Sequence, residues 1–152
     1  MIRVQSEPFD PAAELAQFIA EAKGAGAVVS FVGIVRGRRA DETVDVLELT
    51  HYPAFTEKSM GEIAKLASAR FPIQQLAIVH RFGQLSLCEP IVFVAAAAEH
   101  RRAAFEAVDF LMDQLKSEAA FWKKEHGPGG SRWIEPTIED RQDLERWMED
   151  QP

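Results

Sequence analysis

The amino-acid sequence predicts a mixed α+β sandwich in a single domain. Three observations predict it. Segments with strand and helix character follow one another as βαββαββαβ, the pattern of a layered α+β architecture. Two of the helical segments open on a proline, Pro11 and Pro53, where the missing N–H costs nothing. No internal repeat or linker interrupts the 152 residues, of which 47% are hydrophobic, enough to build a core.

In chain order, "MIRVQ" is a short first strand, and "DPAAELAQFIAEAK" a helix with Asp10 as N-cap. Leu15, Phe18, Ile19 and Ala22 recur at helical spacing, and Gly24 ends the element. "AVVSFVGIV" (27–35) is a β-branched run that predicts a buried strand. "RGRRADET" (36–43) is polar and predicts a mobile surface loop. "VDVLELTHY" (44–52) is a strand. A helix then runs from Pro53 to about Arg70, with Met60, Ile63, Ala64 and Ala67 facing inward and Pro72 as its stop. "QQLAIVHRFG" and "EPIVFVAAAA" are strands joined through "QLSLC". The helix opening at His100 carries Ala104, Phe105, Val108, Leu111, Met112 and Leu115 as its apolar stripe. "HGPGGS" is loop, "RWIE" a last strand, and 138–152 a polar helix or tail.

Several function classes are excluded by composition. A formal charge of −7 argues against a general nucleic-acid or membrane-surface binder, so any anion site is local. The single cysteine, Cys88, rules out an internal disulfide and fits a reducing compartment. The N-terminus lacks the basic and apolar regions of a signal peptide, and the longest apolar run (90–98) is too short to span a bilayer. The expected location is cytoplasmic.

Against that acidic background, cations gather in "HRRAAFEAVDFLMDQLKSEAAFWKKEHGPGGSRW" (100–133). If helix continues through "KSEAAFWK", Lys116 and Lys123 share one face, since seven residues advance a helix by two turns less about 20°. Ala119 and Ala120 then floor a groove between them, and Phe121 and Trp122 wall it. Partial desolvation there lowers a lysine pKa and frees its amine for nucleophilic or proton chemistry. Spacing alone sides with the plainer alternative, solvated lysines that complement a helix dipole. At the other end of that helix, His100 and Arg101 meet unpaired N–H groups suited to an anion, though His100 also fits a capping or packing role. Arg36, at a strand end before a flexible loop, suits bidentate anion binding or plain solvation. His100 and Lys116 are about 24 Å apart at ~1.5 Å per helical residue. Either the site is long, or a two-fold dimer supplies one end from each copy, which is the expectation here.

Other candidates are weaker. The four histidines show no metal-ligand spacing and Cys88 has no cysteine partner, so no metal site is expected. "GAGAVVSFVG" matches neither nucleotide-binding glycine pattern. Glu48 and Glu89 form no obvious acid–base pair, and His80-Arg81 reads as a structural strand end.

"GAVVSFVGIVR", "LELTHYPAFTEKSM", "IVHRFGQL", "EHRRAAFEAVDFLMDQLK" and "FWKKE…RW" together resemble the large, catalytic subunit family of molybdopterin synthase, from about residue 5 to 147. The resemblance implies a hammerhead-like α+β fold over 1–152 and a sulfurtransferase of molybdenum cofactor biosynthesis. Its substrate is cyclic pyranopterin monophosphate (precursor Z), which gains two dithiolene sulfurs. The sulfur donor is a small ubiquitin-like subunit ending in a Gly-Gly thiocarboxylate, and a homodimer sits at the centre of a heterotetramer. By the same resemblance the substrate site holds Ile34, Val35, Arg36, His100, Arg101, Lys116, Lys123, Lys124 and Glu125. Lys116 is expected as the main acid–base or amine catalyst, with Lys123 stabilising negative charge or positioning the thiocarboxylate. No metal or organic cofactor is implied. The rival reading is a non-catalytic, regulatory dimer that holds an anionic metabolite or a partner's tail. Two departures stand out: Ala120 replaces a common proline, which predicts a smoother helix, and Cys88-Glu89-Pro90 replaces a glycine-acid turn.

Overall fold

The computed structural model describes residues 1–148. Its first sheet has the order β1-β6-β8-β2, built from Ile2–Gln5 (β1), Ile73–Arg81 (β6), Pro90–Ala98 (β8) and Ala27–Ile34 (β2). β1 runs parallel to β6, while β8 pairs antiparallel with both β6 and β2. The central strand β8 explains the layering. Its alternate residues Phe93, Ala95 and Ala97 pack with Phe18 of helix α1 (Pro11–Glu21). Val92, Val94 and Ala96 pack on the opposite side, with Met60 and Ala67 of α2 (Pro53–Arg70) and Ala107 and Leu111 of α3 (Arg101–Ser117). A strand buried on both faces reads as a continuous apolar run, and "PIVFVAAAA" does.

Local signals hold where they were strongest. Asp10 accepts a hydrogen bond from the Ala12 N–H at 2.9 Å and caps α1. The inner face expected for α2 is buried, with Thr56 added to it.

A second, antiparallel sheet has the order β10-β9-β5-β7: Gly130–Ile134 (β10), Phe121–Gly127 (β9), Val46–His51 (β5) and Gly83–Ser86 (β7). Leu49 and Leu85 bury against Val35 beneath it. Beside β9 and β10, Arg38–Arg39 (β3) and Glu42–Thr43 (β4) form a small hairpin where a mobile loop was expected. Helix α4 (Ile138–Glu145) closes the described chain; the rest of the expected 138–152 tail, residues 149–152, lies outside the described residues.

Four expectations need correction. "QLS" is itself a strand, β7, because it pairs with β5. "HGPGGS" is a hairpin turn between paired strands, not free loop. β2 is not buried: it is an edge strand, and Phe31, Val32 and Ile34 remain exposed. Phe105, placed on the inner stripe of α3, is 59% exposed beside them. The fold is α+β as expected.

Candidate active site

The site begins where α3 stops. The helix expected to run on to Lys123 ends at Ser117, and the chain turns through Ala119–Ala120 into β9. Helix α2 enforces this. The Thr56 hydroxyl donates to the Ala120 carbonyl (2.7 Å), and the Ser59 hydroxyl accepts from the Ala120 N–H (3.3 Å). Both backbone groups of Ala120 are therefore engaged outside any helical ladder, and no helix can pass through it. The smoother helix inferred from the absent proline does not form. Ala119 and Ala120 do not floor a helical groove; they lie in the connecting turn.

Lys116 and Lys123 nevertheless converge, by a different route. Lys116 sits in the last turn of α3. Lys123 lies on β9 opposite Leu49 and Ile134, and strand alternation puts it on the face shared by Phe121 and Glu125. Asp140 joins them from α4. Its carboxylate lies 3.8 Å from the Lys116 ammonium. A capping box holds it in place: the Asp140 N–H donates to the Thr137 hydroxyl (3.1 Å), and the Thr137 N–H donates to the Asp140 carboxylate (2.8 Å). Burial raises the Asp140 pKa, but the Thr137 hydrogen bonds and the two lysines outweigh it and hold the carboxyl below its usual range. The helix docks through Trp147, whose ring meets Phe110 edge-on at 5.4 Å and whose indole N–H donates to Asp113 at 2.6 Å.

Electrostatics single out Lys123. Burial first, and the neighbouring Lys116 charge second, lower its pKa to about 8, with Asp140 opposing. Beside it, His80 is buried and stacked on Phe121, with ring centroids 3.9 Å apart. Its Nδ1 lies 2.8 Å from the Arg81 carbonyl, which only accepts, so Nδ1 carries the proton. Burial pushes the His80 pKa down to about 4, against that hydrogen bond and together with the charges of Lys123 and His51. His80 is thus a neutral wall of the site.

The remaining candidates occupy three places. Glu125 pairs with Arg39 (3.9 Å) and Arg132 (3.7 Å), which draws the β3–β4 hairpin toward the β9–β10 hairpin. Gly127 permits this approach, since a Cβ there would collide with the Thr43 carbonyl. A cleft of about 450 Å³ lies between the hairpins, lined by Glu42, Thr43, Glu125, Gly127 and Arg132 among others. Lys124 projects from the other face of β9, 5.2 Å over the Trp133 ring. At the end of β2, Val35 is buried, whereas Ile34 and Arg36 are exposed. His100 and Arg101 stand exposed at the far end of α3, His100 pairing with Glu99 at 3.7 Å. One chain does not bring them to Lys116.

Sequence reasoning missed Asp140 and Thr137. The "TIED" pattern (137–140) is a helix-start signature that marked the position, but α4 has no apolar stripe to draw attention to it.

An α+β scaffold that desolvates one lysine beside another, next to a fixed carboxylate, is equipped for proton and anion chemistry. Comparison with known proteins gives the particular kind. The profile of the MoaE protein family matches residues 4–118. The molybdopterin synthase catalytic subunit of Caulobacter vibrioides is 50% identical over 147 residues, covering 97% of each chain. The structure of the molybdopterin biosynthesis MoaE protein from Burkholderia ambifaria superposes with a TM-score of 0.83 at 44% identity, again over 97% of each chain. A protein–protein complex of subunits 1 and 2 of molybdopterin-converting factor from Helicobacter pylori shares the fold at TM-score 0.74 and 20% identity, over 88% of this chain and 89% of that one. The chain belongs to the MoaE family of molybdopterin synthase catalytic subunits, enzymes of molybdenum cofactor biosynthesis.

Proposed function

We propose that this chain, acting as a single large-subunit domain, transfers two sulfurs to cyclic pyranopterin monophosphate (precursor Z) to complete the dithiolene of molybdopterin. The donor is the C-terminal Gly-Gly thiocarboxylate of a small ubiquitin-like subunit. The observation that carries the reading is the desolvated Lys123 beside Lys116 and Asp140.

A pKa of about 8 in place of 10.5 leaves about 300-fold more neutral amine at pH 7. Lys123 therefore holds and moves the proton at its Nζ, within the range where a general acid or base works well. Lys116, half-exposed and tied to Asp140, offers a fixed ammonium to the thiocarboxylate. This divides the two roles differently from the expectation drawn from sequence. Arg36 takes the substrate phosphate as a bidentate donor, and Ile34 beside it gives the pterin an apolar surface. Val35 anchors that strand end. Glu125 and Lys124 border the path of the glycine tail.

His100 and Arg101 enter from a second copy. Their distance from Lys116 along α3 supports this over one long site, and the exposed Phe31, Val32 and Phe105 on the β2 edge and α3 offer an apolar surface for the homodimer. A small subunit at each end makes the heterotetramer, in keeping with the two-subunit Helicobacter complex. The exposed, unpaired Cys88 fits a reducing cytoplasmic setting.

A single-turnover reaction tests the proposal. Purified protein, precursor Z and thiocarboxylated small subunit are mixed, and the product is followed by mass. Gain of two sulfurs, lost in Lys123→Met and in Lys116→Ala, is expected. Binding of precursor Z without sulfur gain would sink the reading in favour of a ligand-holding relative.

A further inference from the structure

The turn between β7 and β8 has features a plain hairpin does not need, and they converge on Arg36. The Val35 N–H donates to the Glu89 carbonyl (3.0 Å), and the Val35 carbonyl accepts from the Cys88 N–H (2.9 Å). Both backbone groups of Val35 are thus held by the turn. Two residues on, the Gly37 carbonyl accepts from the Val44 N–H (3.0 Å). Arg36 is fixed in backbone on both sides, while its exposed side chain makes no ion pair among the described residues. Just before it, β2 shifts register against β8 between Gly33 and Ile34. Irregularities of this kind bend a strand and re-aim the side chains beyond.

The turn is itself held by an ion pair whose cation is buried and whose carboxylate is about one-third exposed. The Glu89 carboxylate accepts from the Ser86 N–H (2.6 Å) and lies 3.5 Å from Arg81 Nη1. Arg81 is 4% exposed, and its Nε and Nη2 both donate to the Ser6 carbonyl at 3.2 and 3.0 Å. Its Nη1 has no hydrogen-bond partner among the described residues, so Glu89 is the charge that answers it. A buried guanidinium without that answer is costly, which ties Arg81 and Glu89 to each other. The turn does not come for free in conformation either, since Cys88 adopts a φ of +64°.

We infer that Arg81 and Glu89 are positioning residues for Arg36. Their ion pair stiffens the Ser86–Glu89 turn, the turn clamps Val35, and the clamped strand end offers Arg36 to the substrate phosphate from a fixed backbone position. Preorganisation of this kind raises affinity by removing the ordering cost from the binding step. The inference rests on the anion-binding reading of Arg36 above, and a double-mutant cycle separates the two.

KM and kcat for cyclic pyranopterin monophosphate are measured in reconstituted sulfur transfer for the wild type, Arg36→Ala, Glu89→Ala and the double variant, with thermal melting alongside. Glu89→Ala is expected to raise KM ~5-fold or more with kcat within about twofold, and to add nothing in the Arg36→Ala background. Glu89→Gln keeps an acceptor for the Ser86 N–H and should recover part of the KM; it also serves if the alanine variant does not fold. An equal rise in KM in both backgrounds overturns the inference, because Glu89 then acts without Arg36. A wild-type KM in Arg36→Ala overturns the anion-binding reading first, and the positioning role with it.

Discussion

Replacing Lys123 by methionine should make this protein more stable and inactive at once. The side chain sits half-buried on β9, and its pKa falls from 10.5 to about 8, chiefly through burial and then through Lys116. Holding an ammonium there at neutral pH costs about 3 kcal/mol, taking ~1.4 kcal/mol for each tenfold change in proton affinity. Solvent that reaches the half-buried group trims this to about 2 kcal/mol. Methionine keeps most of the length and apolar contact of the lysine stem and carries no charge. The Lys123→Met variant should therefore gain about 2 kcal/mol at pH 7, or ~4–8 °C in melting temperature for a chain of this size. The pH dependence supplies a stricter check. Between pH 8 and 10.5 the unfolded chain binds a proton that folded Lys123 has already released, so wild-type stability rises with pH there. The advantage of the methionine variant is complete below pH 8 and gone by about 10.5. Paired melts at pH 7, 9 and 10.5 read it directly, and mass detection of sulfur gain reads the loss of activity. Equal stability at pH 7, or a gap that does not close with rising pH, would refute the argument that Lys123 is held against its own solvation.

Two further outcomes follow from single residues. His80, neutral in the fold with a pKa of about 4, contributes stability that is complete above pH 6.5 and lost as pH falls toward 4, roughly 3 kcal/mol in all; its imidazole resonance should stay neutral to near pH 4, and a midpoint near 6.5 would contradict the burial argument. Cys88→Gly relieves a left-handed backbone worth ~1 kcal/mol and should raise the melting temperature by about 3 °C, whereas an unchanged or lower value would mean the turn is not strained there.

The sequence was most legible where local chemistry decides the structure. Asp10 and Pro11 open α1, Pro53 opens α2, and β8 reads as a doubly buried strand because alternate residues meet different helices. It was least legible where a distant group decides. The end of α3 is set by Thr56, whose hydroxyl donates to the carbonyl of Ala120, 64 residues later in the chain. No window around Lys116 contains that information, so a helical period of seven paired, by the wrong geometry, two lysines that the fold does place side by side. The run 27–35 was read as buried because its residues are apolar, but β2 lies at an edge, and Phe31 stays exposed there.

The same distinction bears on which cations are informative. With seven more acidic than basic charges, partners are plentiful, and several cations take them: Arg39 and Arg132 on Glu125, Lys116 on Asp140, Arg146 on Asp109 and Asp113. An exposed arginine without a partner is ordinary when its backbone is free to move, because solvent serves it well. Arg36 differs in that both flanking residues are held by hydrogen bonds from other strands and turns, while the guanidinium is left open. Fixing a backbone costs conformational entropy, and nothing in the local packing of an exposed side chain repays it. Burial of Val35 against Leu49 and Leu85 offsets that cost, and on the proposed reading a phosphate then meets a donor whose backbone is already in place. Loss of Arg36 should then leave the melting temperature nearly unchanged while weakening substrate capture, which is the signature of a side chain held for a ligand and not for the fold.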